Sequence, residues 1–369
     1  MITHSSEALT VSWSDGLSHH FHPFWLRERS FEPSNKDPAT GHRLDEVALM
    51  PINITITEVI QNGDSIHLTF SDGHSCVFDL FDLKHQATHQ LPDDLSGKKE
   101  LWDSSLKPLP RHDGIATLSQ DEPLLAVIDD IGRFGFAIVN DIGVSENDLA
   151  VVCDRIGPIR PTNWGTIADI KSIANAYDLS MTGRALEPHV DNPYRLPGPG
   201  YIFLHCLENS AEGGDSFLID GFQIAEKIRA NNPGAFAILS ETSVTFRYAD
   251  ENAILEHHGP LIELGPNGDL HRVRFHNRAD QVPALDIEAL DTYYQARKIM
   301  AEEIWSEANT IRFRLQPGDV LIVDNYRLFH GRTEVNLATG NRHLRQCYLD
   351  RDAMSSCQKT LKRAMQAAS

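Results

Sequence analysis

The chain has no surplus of positive charge. Over 369 residues, 33 Lys and Arg stand against 52 Asp and Glu, giving a formal net charge of -19 and a pI near 5.3. Nucleic acid is excluded as a partner, because phosphate binding needs a net basic face. No apolar run approaches the roughly 18 residues of a membrane span, and the start, Met1-Ile-Thr-His-Ser5, has neither a basic n-region nor an apolar h-region. A cytoplasmic protein with no membrane contact is expected. There are only five cysteines, Cys76, Cys153, Cys206, Cys347 and Cys357, with no C-x-x-C spacing, which excludes a disulfide framework and a Cys-built zinc site. No internal repeat is visible, and no Gly-rich phosphate loop follows any of the strands, which argues against a doubly wound nucleotide-binding fold.

What the sequence does have is 41% hydrophobic and 23% charged residues, a length suited to two domains, and 18 histidines, the commonest metal-binding side chain. Residues 1–95 read as a small β-rich unit. Leu9–Trp13, Ile54–Ile60 and Ser65–Phe70 alternate in polarity between Asp15-Gly16, Asn62-Gly63 and Asp72-Gly73, which are hairpin signals. A polar, weakly periodic stretch, 96–119, is expected to be a linker. From 120 to 369 helices and strands mix. Helices are expected at Glu122–Gly132, Ser145–Arg155, Gly221–Asn231 and Ile287–Ala308, and strands at Phe134–Val139, Tyr201–Leu207 and Asp319–Asp324. Uneven spacing and one large insertion favour an antiparallel barrel or jelly roll, mainly β, with helices packed outside.

The most informative segment is Glu187-Pro-His-Val-Asp-Asn-Pro-Tyr194. His189 and Asp191 are two apart, so on extended backbone both face one way. His330 follows 141 positions later, in Asn325-Tyr-Arg-Leu-Phe-His330-Gly-Arg332, where it is expected to end an apolar strand and turn into Gly331. Two imidazoles and one carboxylate on one face of a metal leave the opposite positions open, which suits Fe(II) binding a co-substrate and O2. The expected centre is His189, Asp191 and His330. Arg342, twelve residues after His330, offers a guanidinium that can grip the far carboxylate of an oxo-acid co-substrate bidentately.

Together, His189-Val-Asp191-Asn-Pro-Tyr194, Glu212-Gly-Gly-Asp-Ser216, Pro317-Gly-Asp319 with Asp324-Asn325, His330-Gly-Arg332 and Gly340-Asn-Arg342-His resemble the Fe(II)/2-oxoglutarate oxygenases of the γ-butyrobetaine and trimethyllysine hydroxylase type. Trp13-Ser-Asp-Gly16, Phe24-Trp-Leu-Arg27 and Asp72-Gly-His74 extend the resemblance over the first domain. It implies a double-stranded β-helix (jelly-roll) catalytic domain, often a homodimer, with Fe(II) on His189, Asp191 and His330, 2-oxoglutarate on Arg342, and O2 as the second co-substrate.

Two departures from the family pattern carry information. The family's N-terminal module binds zinc through three Cys and a His, but the matching stretch here is Ser30-Phe-Glu32-Pro-Ser-Asn35 with only His74 kept. Ser and Asn are poor zinc ligands, so this site is expected to be lost. At the substrate end, the resemblance implies an aromatic cage for a quaternary ammonium group. Trp164 and Tyr348 keep cage positions, Tyr177 and Tyr194 are further candidates, Met181 replaces a Tyr, and Asp178 replaces an Asn that binds the substrate carboxylate. In Phe275-His-Asn277-Arg278, Asn277 is retained and Arg278 added. Loss of an amide donor with gain of a guanidinium shifts the expected substrate from γ-butyrobetaine to its phosphonate analogue, 2-(trimethylammonio)ethylphosphonate, hydroxylated at C1. γ-Butyrobetaine is the alternative. A zinc hydrolase using the same residues would not need Arg342, and a non-catalytic cupin-like binding protein would release no succinate with any substrate.

Overall fold

The computed structural model describes residues 1–30, 32–87, 95–171 and 182–368. The chain forms two units, Met1–Gln90 and Leu91–Ser369.

The first unit contains two three-stranded antiparallel sheets, Ile2–His4, Leu9–Ser12 and Ser18–Phe21 in one, and Ile56–Asn62, Ser65–Phe70 and Ser75–Asp79 in the other. Asn62-Gly63 and Asp72-Gly73 make the turns of the second sheet, with φ of 62° at Gly63 and 82° at Gly73, a region where a Cβ is strained. Alternate residues Ile66, Leu68 and Phe70 are buried against Leu9, Val11, Phe21 and Leu26, as period-two patterning requires. Here Ser30 Oγ and His74 Nε2 lie 2.6 Å apart in a hydrogen bond, and Glu32 Oε1 accepts from the Val77 amide at 3.1 Å.

The second unit is built on two sheets. One has six strands in the order Arg111–Asp113, Phe136–Asn140, Val320–Asp324, Tyr201–Asn209, Arg342–Leu349, Ala168–Lys171. The other has four, Leu186–His189, Leu328–Arg332, Ser216–Asp220, Thr310–Phe313. Every pairing in them is antiparallel except that of Arg111–Asp113 with Phe136–Asn140. Between the sheets, Ile138, Ile202, Leu321 and Leu344 from the first meet Leu218, Ile311 and Leu328 from the second. The outer face of the six-stranded sheet packs on the helices Asp121–Phe134, Asp148–Asp154 and Arg351–Ala368. The outer face of the other packs on Gly221–Asn231, Pro233–Glu241 and Ile287–Ile304. This is a jelly-roll double-stranded β-helix with flanking helices, mainly β as expected.

Several boundaries differ from the sequence reading for identifiable reasons. Much of 96–119 is integral to the second unit. Trp102 is buried, with its indole donating to Phe134 O at 2.6 Å. Arg111–Asp113 adds a strand, and Gly114–Ser119 is a helix. These anchors are single contacts and leave no periodic signature. One of them is the Trp102 amide on Asp220 Oδ2, the same oxygen that pairs with Arg327 Nη2 at 2.6 Å, both side chains fully buried. Removing one partner of such a pair costs about 3–5 kcal/mol. The helix expected to close at Gly132 runs on to Phe134 and is capped by Gly135 at φ 83°. The helix from Ser145 begins later, at Asp148, and that from Ile287 ends at Ile304. All five cysteines are free thiols, four of them buried. Among the described residues, no helix is long and apolar enough to cross a membrane.

Candidate active site

His189 and His330 are direct cross-strand partners in the four-stranded sheet. Strand Leu186–His189 ends at the first imidazole. Val190 is fully buried in the outer core, while Asp191 turns back to the histidines. Asn325, with no exposed surface, fixes this bend from both sides. Its Oδ1 accepts from the Asp191 amide at 2.7 Å, and its Nδ2 donates to the Asp191 carbonyl at 3.0 Å. Asn192 then takes φ 49°, and its Oδ1 accepts from Tyr194 Oη at 2.6 Å.

His330 lies within the strand Leu328–Arg332 rather than at its end. Gly331 makes no turn there. It is required because a Cβ would run into the Phe217 ring and the Leu186 carbonyl.

One ligand atom from each of His189, Asp191 and His330 lies within 4.8 Å of the others. Asp191 Oδ1 is 3.3 Å from His189 Nε2 and 3.7 Å from His330 Nε2. The Glu187 carbonyl accepts a hydrogen bond from His189 Nδ1 at 2.8 Å, which turns Nε2 toward Asp191. Burial, followed by the neighbouring His189, pushes His330 down to about 3, so its imidazole is neutral. Burial would raise the Asp191 carboxyl, but the facing rings of His330 and His189 and the Tyr348 hydroxyl hold it well below the carboxylate range. Two imidazoles and a carboxylate are a donor set that fits a divalent iron and leaves positions open.

Arg342 opens the strand Arg342–Leu349 and is 5% exposed. Among the described residues no carboxylate lies within ion-pair distance of it, and its Nε has no acceptor. Burial and then Arg332 push its pKa down to about 10. Gly214 is bare beside it, since a Cβ there would stand 3.0 Å from Arg342 Cδ. A buried cation without a counter-charge is costly, and an anionic ligand would relieve that cost.

A cavity of about 580 Å³ opens beside the triad, walled by His189, Asp191, Trp164, Tyr194, Arg278 and Tyr348 among the residues singled out from sequence. Trp164 meets Tyr248 edge-on at 5.5 Å, and Tyr248 stacks on Tyr194 at 5.2 Å. Tyr348 lines the cavity, but its hydroxyl is spent on Asp191 Oδ2 at 2.9 Å. Burial and then Asp191 push that phenol well up, so it remains a donor. Arg278 pairs with Glu187 Oε2 at 3.0 Å. Asn277 is not part of the cavity wall. It is exposed, and its Oδ1 accepts from Arg297 at 3.0 Å. Arg342 is outside this wall too. Tyr177, Asp178 and Met181 lie outside the described residues.

Four wall or support residues were not read from sequence as site residues. Tyr248 and Arg247 come from the strand Val244–Ala249, with no spacing signal linking them to Tyr194. His276 immediately precedes the two residues that were picked, Asn277 and Arg278. Its ring is 5.4 Å from His189, its Nδ1 donates to the Val190 carbonyl, and burial followed by His189 pushes it down to about 4. Gln346, two before Tyr348 on a strand, could have been found from that spacing.

Residues 105–348 match the family described as taurine catabolism dioxygenase TauD, TfdA family. Residues 2–83 match the gamma-butyrobetaine hydroxylase-like N-terminal family. The gamma-butyrobetaine dioxygenase of Pseudomonas sp. (strain AK-1) is 30% identical over 95% of this chain and 93% of its own. The mitochondrial trimethyllysine dioxygenase of Gallus gallus is 27% identical over 93% and 84%. Asparagine oxygenase, solved with Fe(II), 2S,3S-3-hydroxyasparagine and succinate, shares the fold at a TM-score of 0.51 and 16% identity, over 63% of this chain and 79% of that one. With the jelly roll, the His-Asp-His cluster and a family match over most of its length, the chain belongs to the TauD/TfdA dioxygenases and is an enzyme that uses Fe(II), 2-oxoglutarate and O2.

Proposed function

We propose that this enzyme hydroxylates a small quaternary-ammonium zwitterion, with 2-(trimethylammonio)ethylphosphonate, oxidised at C1, as the leading substrate. One observation carries the reading: aromatic rings (Trp164, Tyr194, Tyr248) and guanidinium groups (Arg247, Arg278) share a single cavity with His189 and Asp191. A trimethylammonium group has no N–H to donate and is best held by ring faces. A phosphonate, with three acceptor oxygens, suits guanidinium donors. The relatives named for γ-butyrobetaine and trimethyllysine point to the same cationic class.

In this reading His189, Asp191 and His330 hold the iron, and Arg342 holds the far carboxylate of 2-oxoglutarate. The bound metal supplies oxidative decarboxylation of 2-oxoglutarate to succinate and CO2, coupled to hydroxylation of a C–H. The chain's own work is positioning, with the cation gripped at one end and the anion at the other so that one carbon faces the metal. A second reading, γ-butyrobetaine, is favoured by the pairing of Arg278 with Glu187 and of Arg247 with Glu256 at 2.8 Å, which leaves less cationic character for a phosphonate.

The test is anaerobic Fe(II) reconstitution followed by succinate release across γ-butyrobetaine, trimethyllysine and 2-(trimethylammonio)ethylphosphonate. Fastest turnover is expected with the phosphonate. A wide margin for γ-butyrobetaine would overturn the phosphonate assignment, and no stimulation by any of the three would overturn the substrate class.

A further inference from the structure

The carboxylate of the triad has two oxygens, and a carboxylate free to rotate can bind a metal through one or both. Here the two are treated differently. Oδ1 is the oxygen 3.3 and 3.7 Å from the imidazoles. Oδ2 accepts from Gln346 Nε2 at 2.6 Å and from Tyr348 Oη at 2.9 Å. Gln346 Nε2 also lies 2.9 Å from Tyr348 Oη, so the amide donates to both the phenol oxygen and the carboxylate while the phenol donates its own O–H to Oδ2. The three groups close a ring.

The origin of this clamp matters. His189 and His330 belong to the four-stranded sheet, whereas Gln346 and Tyr348 stand two apart on the strand Arg342–Leu349 of the six-stranded sheet, opposite Leu204 and Ile202. Residues two apart in a strand face the same way, and Cys347 between them is buried on the other side, in the helix-covered core. The opposing sheet therefore reaches across the site to hold the one ligand that lies beyond a strand end.

We propose that Gln346 and Tyr348 are positioning residues that lock Asp191 into one-oxygen ligation, reserving Oδ1 for the metal and keeping a further coordination position open for co-substrate. This rests on the reading of His189, Asp191 and His330 as ligands. Groups that hydrogen-bond a ligand from outside commonly change metal affinity by about 10–100-fold when removed.

The test uses the full chain. Tyr348→Phe keeps the ring on the cavity wall and removes only the hydroxyl, and Gln346→Leu removes the amide. Fe(II) affinity is measured anaerobically by competition with a chromophoric chelator. Co(II) visible spectra, whose intensity falls as coordination number rises, report how the carboxylate binds. Each single variant is expected to weaken metal binding about 10-fold, and the pair up to about 100-fold, with a weaker Co(II) spectrum as Asp191 swings to two-oxygen binding. A double variant with affinity within twofold of the parent and an unchanged Co(II) spectrum would overturn the proposal. If Gln346→Leu fails to fold, Tyr348→Phe alone decides by the same two readouts. Asp191→Ala separates the two levels. Parent-like metal binding there would bring down the ligand set itself, whereas its loss beside an unaffected double variant would bring down only the clamp.

Discussion

The Arg278 guanidinium is bound to Glu187 Oε2 at 3.0 Å, and the backbone carbonyl of that same Glu187 orients the His189 imidazole of the proposed metal triad. The residue offered as the reader of the substrate's anion is thus already engaged by a carboxylate that also pairs with Arg184. Both partners are about a third exposed, so the pair itself adds little stability and can be exchanged for a substrate anion. Arg278→Ala is expected to raise KM for the phosphonate about 10-fold or more, the equivalent of one charge-assisted hydrogen bond, and to change KM for γ-butyrobetaine less than threefold. Steady-state succinate release with both substrates measures this. Equal effects on the two would remove Arg278 from specificity.

Arg342 is buried with no counter-charge among the described residues, so its role is readable by substitution. Arg342→Ala is expected to lower kcat/KM for 2-oxoglutarate at least about 100-fold, since a fully desolvated pair is lost, while leaving metal affinity near the parent value. Arg342→Lys should recover only part, because an ammonium cannot offer the planar two-pronged grip. Titration with 2-oxoglutarate at fixed Fe(II) checks both, and parent-like kcat/KM in Arg342→Ala would remove Arg342 from co-substrate binding.

Trp164 and Tyr248 make a separate prediction. Ring faces hold quaternary cations with about 0.5–2 kcal/mol each. Trp164→Leu and Tyr248→Leu should therefore each raise substrate KM about 2–30-fold and leave that for 2-oxoglutarate unchanged. A neutral isostere of the substrate, with a tert-butyl group in place of trimethylammonium, should lose most of its discrimination between parent and variant.

The first unit is expected to hold no zinc, because Ser30 and His74 are bonded to each other and neither Glu32 nor Asn35 supplies a thiolate. Metal analysis of the full chain returning one tightly held zinc would contradict this. His74 also gives the unit a pH response. Burial and then Arg27 push its pKa down, against Asp72, Asp45 and Glu32, which raise it. The unfolded chain then binds more protons than the folded one just below the ordinary imidazole value of 6.5, so stability falls as pH drops through that range. Thermal melts between pH 7 and 5 should show the decline, and His74→Gln should flatten it.

The sequence was most readable where function rests on short spacings. His189 and Asp191 are two apart, the hairpin turns carry Asn-Gly and Asp-Gly, and helix Gly221–Asn231 starts and stops where Asp220 and Pro233 dictate. It was least readable where the site is assembled across strands. Tyr248 reaches Tyr194 only through the packing of a distant hairpin. Gln346 acts on a carboxylate 155 positions earlier, and Asn277 and His276 exchange importance because the chain there is a loop whose facing no periodicity predicts. The 96–119 segment was misread for a related reason, since its role is carried by isolated anchors such as Trp102.

Because His189 and His330 are paired in register, a metal held by both, as proposed, would also staple chain positions 141 residues apart. Loop-closure entropy grows only with the logarithm of the intervening length, about 0.6 kcal/mol per doubling. A change in the length of chain between the two strands would therefore by itself alter the entropic cost of closing the pair very little. The pair of imidazoles is placed by the register of the sheet and not by the length of chain that joins them.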